Sequence, residues 1–456
     1  MLKFNEGFSA NTVRYLIIVL AGCLITSCQT STTENQSVQQ RQEIASEIDS
    51  VLVDQYNLWY PRTVDNKYGG FLSRYSHDWQ SIGPQDKMIV TQARHTWTAS
   101  KVAYRDPSRK DFVKYGKHGF DFLRNHMWDE EYGGFYTSVT REGEVTPDDD
   151  GVIRKGLYGN AFGIYGLASY YQASGDSAAL VLARQAFEWL DKGSYDHEHG
   201  GYFNSLTREG EPYEQGYPKD YNSGIHILEA LAELYQVWPD QTVRARLYDM
   251  FRVVRDTFTT DRGYMNLYFR EDWTPVVYTD SSRAVQEQNL ATDHITFGHD
   301  IETAFLILEA AHALDFSEDS VLTHAKKMVD HTIDKAWDEE EGGFYDRGYY
   351  FQGDSEITIT DSSKVWWAQA EALHSLLIMA RHFPDDPEYN YFDLFARQWE
   401  YIKNYLLDPR HGGWYERGLD EDPDMREAPK ATIWKGNYHT MRALLRCKQL
   451  LQDMGQ

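Results

Sequence analysis

Cysteine is almost absent: three residues in 456, at Cys23, Cys28 and Cys447. That scarcity excludes a disulfide framework and a thiolate metal site. Positive charge is also short, with 45 Lys and Arg against 70 Asp and Glu, a formal charge of −25. A phosphate backbone wants a basic stripe, so nucleic acid is excluded as a partner. No glycine-rich phosphate loop occurs. The apolar run "YLIIVLAGCLIT", residues 15–26, is too short for a comfortable membrane span.

That run has the size of a signal-peptide core, and Lys3 and Arg14 precede it. It ends in Ile25-Thr26-Ser27-Cys28, and a small residue before Cys at this place resembles the lipobox of bacterial lipoproteins. The expectation is a signal peptide over 1–28 with lipidation at Cys28, then a flexible polar tether over 29–40. A single domain follows over 41–456. Membrane contact is expected only through the anchor at Cys28. Gln29 after it fits outer-membrane sorting in a diderm envelope, on the periplasmic or the outer face.

What remains is globular in kind, 41% hydrophobic and 25% charged. Thirteen Trp and 32 Tyr supply flat apolar faces with polar tips, useful for stacking on sugars and equally useful in a core. The strongest pattern is a repeat, Asp-x-x-x-Gly-Gly-aromatic, beginning at Asp65, Asp129, Asp196, Asp338 and Asp408, with a shortened "DRGYM" at Asp261. The Asp positions lie roughly 64 to 77 residues apart, enough for two helices and a turn. Ahead of each turn lies an amphipathic segment such as "VLARQAFEWLDKG"; after it comes a more apolar one such as "YGNAFGIYGLASYYQ". Six pairs of outer and inner helices predict an all-α fold, a closed (α/α)6 barrel; an open solenoid would carry distinct terminal caps. The "HEH" at His197 to His199 lies inside a repeating turn, without the i, i+4 spacing of a helical zinc site, and reads as structural.

Polar residues gather where the inner helices start: Gln92 and Arg94, Tyr158 and Asn160, Asn222, His226 and Glu229, His299 and Glu302, Trp367 and Glu371, then Trp434, Tyr438, His439 and Arg442. Parallel inner helices bring these turns to one end of the barrel, where helix N-termini favour anionic intermediates. Each acid alone could be a first-turn acid and each His a core residue. Three His at matching positions predict a site. Three His could hold a metal. A His pair also suits proton transfer α to a carbonyl, one ring removing the proton and the other returning it on the opposite face.

These residues resemble the N-acylglucosamine 2-epimerase superfamily, and within it the cellobiose 2-epimerases, through "QARHTWTAS", "NSGIHILEA", "FGHDIETAFLILEAA", "WWAQAEA" and "WKGNYH". The resemblance implies an isomerase acting on the reducing-end sugar of a disaccharide or oligosaccharide, without metal or other cofactor. His299 and His439 would act at C2 through a cis-enediolate, with His226 assisting ring opening and Arg94 holding the oxyanion. Glu229 and Glu302 would orient the histidines, Trp367 and Trp434 would stack on the sugar, and Asn222, Tyr158 and Glu371 would bind it. An N-acylglucosamine 2-epimerase or an aldose–ketose isomerase would use the same parts. A glycoside hydrolase would need two carboxylates flanking the bond, and a non-catalytic glycan-binding lipoprotein would need only the Trp residues. The chain departs from the cellobiose pattern at Gly224, where another His is usual, at Asn437, where Pro is usual, and at Ala304-Phe305, which stands for Ser-Trp.

Overall fold

The computed structural model describes residues 38–213, 216–317 and 319–455. Cys28, the expected signal peptide and the tether as far as residue 37 lie outside the described residues. Residues 38–40, expected to finish the tether, are helical, and Gln39 donates to Glu43 one turn on at 2.9 Å.

Twelve principal helices alternate between two layers. The outer ones are α1 (residues 38–59), α3 (Val113–Phe122), α5 (Ser177–Gly193), α7 (Gln241–Val253), α9 (Asp319–Ala336) and α11 (Tyr391–Tyr401). The inner ones are α2 (Ile89–Arg105), α4 (Leu157–Ser174), α6 (Tyr221–Val237), α8 (Phe297–Ala313), α10 (Trp366–His382) and α12 (Tyr438–Met454). In α5 the buried residues are Ala179, Leu182, Ala183, Ala186, Phe187 and Leu190, one stripe at helical spacing. In α4 every residue from Leu157 to Tyr170 is buried except Tyr158.

Each inner helix packs on the next, and α12 returns to α2. Across the closure Tyr75 bridges Ala431, Asn437 donates to the Tyr60 hydroxyl at 3.1 Å, and Arg105 donates to Gln449 at 2.6 Å. The expected (α/α)6 barrel is therefore closed, and these pairings exclude an open solenoid. Short strand pairs fix the inner-helix starts: Lys87–Met88 with Ser138–Val139, Arg154–Gly156 with Ser205–Thr207, Lys219–Asp220 with Tyr268–Phe269, and Ile295–Thr296 within a three-stranded sheet.

The repeated turn explains its own sequence. Asp65 Oδ1 accepts the N–H groups of Lys67 and Tyr68 at 3.1 and 3.3 Å, and both Gly69 and Gly70 adopt left-handed φ of 78° and 64°. A Cβ on Gly70 would lie 2.6 Å from Gln92 Oε1. The second Asp oxygen takes a buried Lys: Lys87, Lys155, Lys219 and Lys364, at 2.6 to 3.1 Å, each two residues before an inner helix, and Lys430 at 2.7 Å in the last repeat.

The fourth inner-helix residue secures the turn from the other side. Gln92 bonds both N–H and C=O of Phe71, at 2.7 and 2.8 Å; Gln369 does the same to Phe344 at 2.9 and 2.8 Å, and Asn160 accepts from Phe135 N–H at 2.7 Å. Gln92 and Asn160 are thus turned away from the barrel mouth. In the fourth repeat Asp300 holds this place. One oxygen accepts Met265 N–H at 2.9 Å, the other is buried without a partner, and burial pushes the carboxyl well above 3.8. A protonated acid imitates the amide. The raised native pKa means that the folded state keeps a proton the unfolded chain loses above pH 3.8, so stability falls as pH rises beyond that value. Asp300→Asn should therefore stabilise by about 1–3 kcal/mol at pH 8 and by little near pH 4. Urea denaturation at the two pH values checks this; equal changes at both would show that Asp300 is ionised.

In the third repeat the same place is Gly224. A Cβ there would sit 2.5 Å from the Phe258 ring, so the His usual in the cellobiose pattern has no room.

Candidate active site

The starts of α2, α4, α6, α8, α10 and α12 bring together a layer of buried charge under a half-buried rim. At its centre is Arg442. Its Nη1 donates to Glu229 Oε1 at 2.5 Å and to the Tyr438 hydroxyl at 2.6 Å; its Nη2 donates to Glu371 Oε1 at 2.6 Å and also to Glu302. All four charged side chains are at most 4% exposed. One guanidinium fork thus binds one oxygen of each of three carboxylates on three helices, which an ammonium could not do with the same geometry.

Two histidines hang on this layer by Nδ1. His439 lies 2.6 Å from Glu371 Oε1, and His226 lies 3.0 Å from Glu229 Oε2. His299 is held by neutral groups, Thr296 Oγ1 at 3.0 Å and the Tyr221 hydroxyl at 3.5 Å. With Nδ1 engaged in all three, Nε2 is the nitrogen left for chemistry. Trp367 packs against both outer members of the set, its ring centre 4.5 Å from His299 and 5.6 Å from His439.

The electrostatics follow from burial. Desolvation, helped by the neighbouring cationic groups, holds His299 well below 6.5. His439 is driven the same way by burial and Arg94, while burial pushes its partner Glu371 up to about 7 against the pull of Arg442. Burial thus works against charge on both members of this hydrogen-bonded pair. Burial works to raise Glu229 too, but Arg442 and His226 outweigh it and hold this carboxylate well below its usual range.

Arg94 lies on the same layer. Its guanidinium faces the rings of Phe162 at 4.3 Å and Tyr438 at 4.9 Å and donates to the Tyr158 hydroxyl at 3.0 Å. Asn222 is half-buried on the first turn of α6, its Oδ1 unpartnered. Trp434 stands on the loop before α12 and is 57% exposed.

Two carboxylates differ from the roles implied by resemblance. Glu371, placed there on sugar hydroxyls, is fully buried and bonded to His439 and Arg442; Glu302, placed there on a histidine, bonds Arg442. The reason is adjacency: His439 sits on α12, whose inner neighbour is α10 with Glu371, whereas Glu302 is one helix further round on α8. Glu302, Glu371 and His439 also have donor atoms within 4.8 Å of one another, a metal-like spacing, but the Arg442 guanidinium is the cation of that cluster. Arg442, Tyr438, Thr296 and Tyr221 carry no role in the sequence reading, and the pairing of Arg442 with acids 71 to 213 residues away has no local signal.

A model of the N-acylglucosamine 2-epimerase (GlcNAc 2-epimerase) family matches residues 69–443. The chain belongs to that family. A cellobiose 2-epimerase of Ruminococcus albus is 31% identical over 409 residues, covering 87% of this chain and 96% of the relative. A D-mannose isomerase of Marinomonas mediterranea is 24% identical, covering 87% and 94%. Among solved structures, a sugar epimerase from a ruminal bacterium superposes with a TM-score of 0.75 at 27% identity, covering 89% of this chain and 98% of that one.

Proposed function

We propose that the protein is a carbohydrate 2-epimerase that inverts C2 of the reducing-end sugar of a disaccharide or oligosaccharide, as the cellobiose 2-epimerases to which it is similar are named to do. The observation that carries this reading is the pair His299 and His439, the first half-buried and the second buried, both with Nδ1 engaged and both packed on Trp367.

The open-chain aldose has an acidic C2 proton beside its carbonyl. A neutral imidazole takes that proton, the electron pair moves onto the carbonyl oxygen, and an enediolate forms. The second imidazole returns a proton to the other face of C2, the carbonyl reforms, and the ring closes. Desolvation disfavours charge on His299, which leaves it ready as a base, while His439, bonded at Nδ1 to a Glu371 carboxyl that burial pushes up to about 7, is placed to serve the other face. Arg94 supplies the positive charge for the enediolate oxygen. His226, anchored on Glu229, assists ring opening, and Trp367, with Trp434 at the rim, offers ring faces to the sugar. The buried His–Glu pairs speak against a binding protein, for which they would only cost desolvation. The Glu229, Glu302 and Glu371 carboxylates are all committed to Arg442, which speaks against their flanking a glycosidic bond as a hydrolase requires.

The N-terminal run ending at Ser27-Cys28 supports a lipid anchor at Cys28 and a place in the cell envelope, in the outer membrane of a diderm host. A Cys28→Ser variant appearing in the soluble fraction would agree; unchanged fractionation would end that reading.

Activity is tested by incubating the chain from Gln29 on with cellobiose, mannobiose, mannose or N-acetylglucosamine in D2O containing EDTA. Proton NMR should show the 2-epimer with deuterium at C2 and name the preferred sugar. A ketose product would make the protein an aldose–ketose isomerase, and exchange lost in EDTA would make it metal-dependent.

A further inference from the structure

The barrel has a second mouth. The C-terminal halves of all six inner helices line a cavity of about 590 Å³ at the end opposite the histidines. An adjoining cavity of about 610 Å³ runs outward over α1 and α12. The two share Tyr104, Arg105, Gln449 and Asp453, so they form one groove from the barrel axis to its flank. None of this is used by the chemistry above; Glu229 is the point where the inner cavity touches the Arg442 layer.

The chemistry of the lining selects its occupant. Lys101 pairs with Glu233 and Arg446 with Glu309; Arg105, which also donates to Gln449, and Asp453 stand on the shared wall, and Arg381 lines the inner cavity. An anion would meet these carboxylates and the negative ends of six helices. A cation would meet the Lys and Arg groups. Fixed donors and acceptors in near-equal number instead fit a ligand whose groups both donate and accept, the property of sugar hydroxyls. Tyr104 adds an open aromatic face, 53% exposed, at the junction of the two cavities. Buried polar atoms without partners line both parts: His374 Nδ1 in the inner one and the Tyr56 hydroxyl in the outer one.

We propose that this groove is a second, non-catalytic carbohydrate site that takes a neutral oligosaccharide along Tyr104, Arg105 and Asp453. It would hold a glycan chain on the protein while the other mouth works on reducing ends.

The probes are cellotetraose and mannotetraose reduced at the terminal carbonyl, which cannot be turned over, titrated calorimetrically into the chain from Gln29 on. At least one should bind, and Tyr104→Ala should weaken it about tenfold. The same variant should leave kcat and KM for the substrate found in D2O within about twofold, because Tyr104 touches nothing in the His layer. Trp367→Ala should reverse that pattern. Tyr104 is exposed, so its variant keeps the fold. Binding of neither probe, binding indifferent to Tyr104→Ala, or displacement of the sugar by inorganic phosphate would each overturn the proposal. The titration does not depend on turnover, so its failure is distinct from failure of the epimerase reading.

Discussion

His299→Ala and His439→Ala are each expected to lower the rate of epimer interconversion by about 10³-fold, near the middle of the range for losing a positioned acid or base. The more telling result is what survives. If each imidazole serves one face of C2, a variant lacking one ring still has a base for the epimer whose proton faces the other. In D2O, His439→Ala should wash deuterium into C2 of one epimer without inverting it, and His299→Ala should do so for the other. The wild type should exchange both. Loss of all exchange in both variants would mean that the two rings work as a relay on one face. Full exchange on both epimers in either variant would remove that ring from C2 altogether.

The partners of the two rings predict a further asymmetry. His439 has a carboxylate at Nδ1, which stabilises the imidazolium formed when Nε2 takes a proton; His299 has only hydroxyls there. Glu371→Gln should therefore slow proton transfer in the direction where His439 is the base more than in the reverse. Rates measured from each epimer, within the equilibrium constraint, separate this from a uniform loss of fold.

The architecture was legible because each repeat restates one physical requirement. A left-handed Gly pair, an Asp that bonds the turn and an inner helix without a wet face recur, and those needs are local to a few residues. The Lys two residues ahead of four inner helices repeats as regularly but has no part in the sequence reading, because its partner, the buried Asp of the turn, is set by the fold. The His positions were legible for their placement at helix starts. What they bond was not. Glu302 and Glu371 occupy equivalent positions on neighbouring helices, and only the order of the ring decides which of them faces His439. Gln92 and Asn160 look like mouth residues in the sequence, yet they reach back to their own turns, as Asp300 does. Helical position fixes where a side chain begins, and tertiary neighbours fix where it ends.

Arg442 should be the least replaceable residue of the site. Replacing it with Met leaves Glu229, Glu302 and Glu371 buried without their cation, a loss of about 3–5 kcal/mol near pH 8 for breaking a buried ionic network. The sign with pH follows from linkage. In the wild type Glu229 is held below the ordinary glutamate value of 4.5, so its contribution is present above that pH and is lost as pH falls through the native pKa. Without Arg442 the strongest cause opposing burial is gone, His226 and Tyr438 alone remain to hold Glu229 down, and Glu371 is raised further above its unfolded value. The folded variant then binds more protons than the unfolded chain and gains stability as pH falls toward 5. Urea midpoints for wild type and Arg442→Met should therefore converge on acidification and diverge at pH 8. Arg442→Lys should lie between, since one ammonium cannot span Glu229 on one side and Glu302 with Glu371 on the other. Both variants should lose activity even where folded, because Glu371 loses the partner that fixes it against His439. A stability gap that does not change between pH 5 and pH 8 would show that the three carboxylates already carry protons in the native protein, and that Arg442 is there for packing.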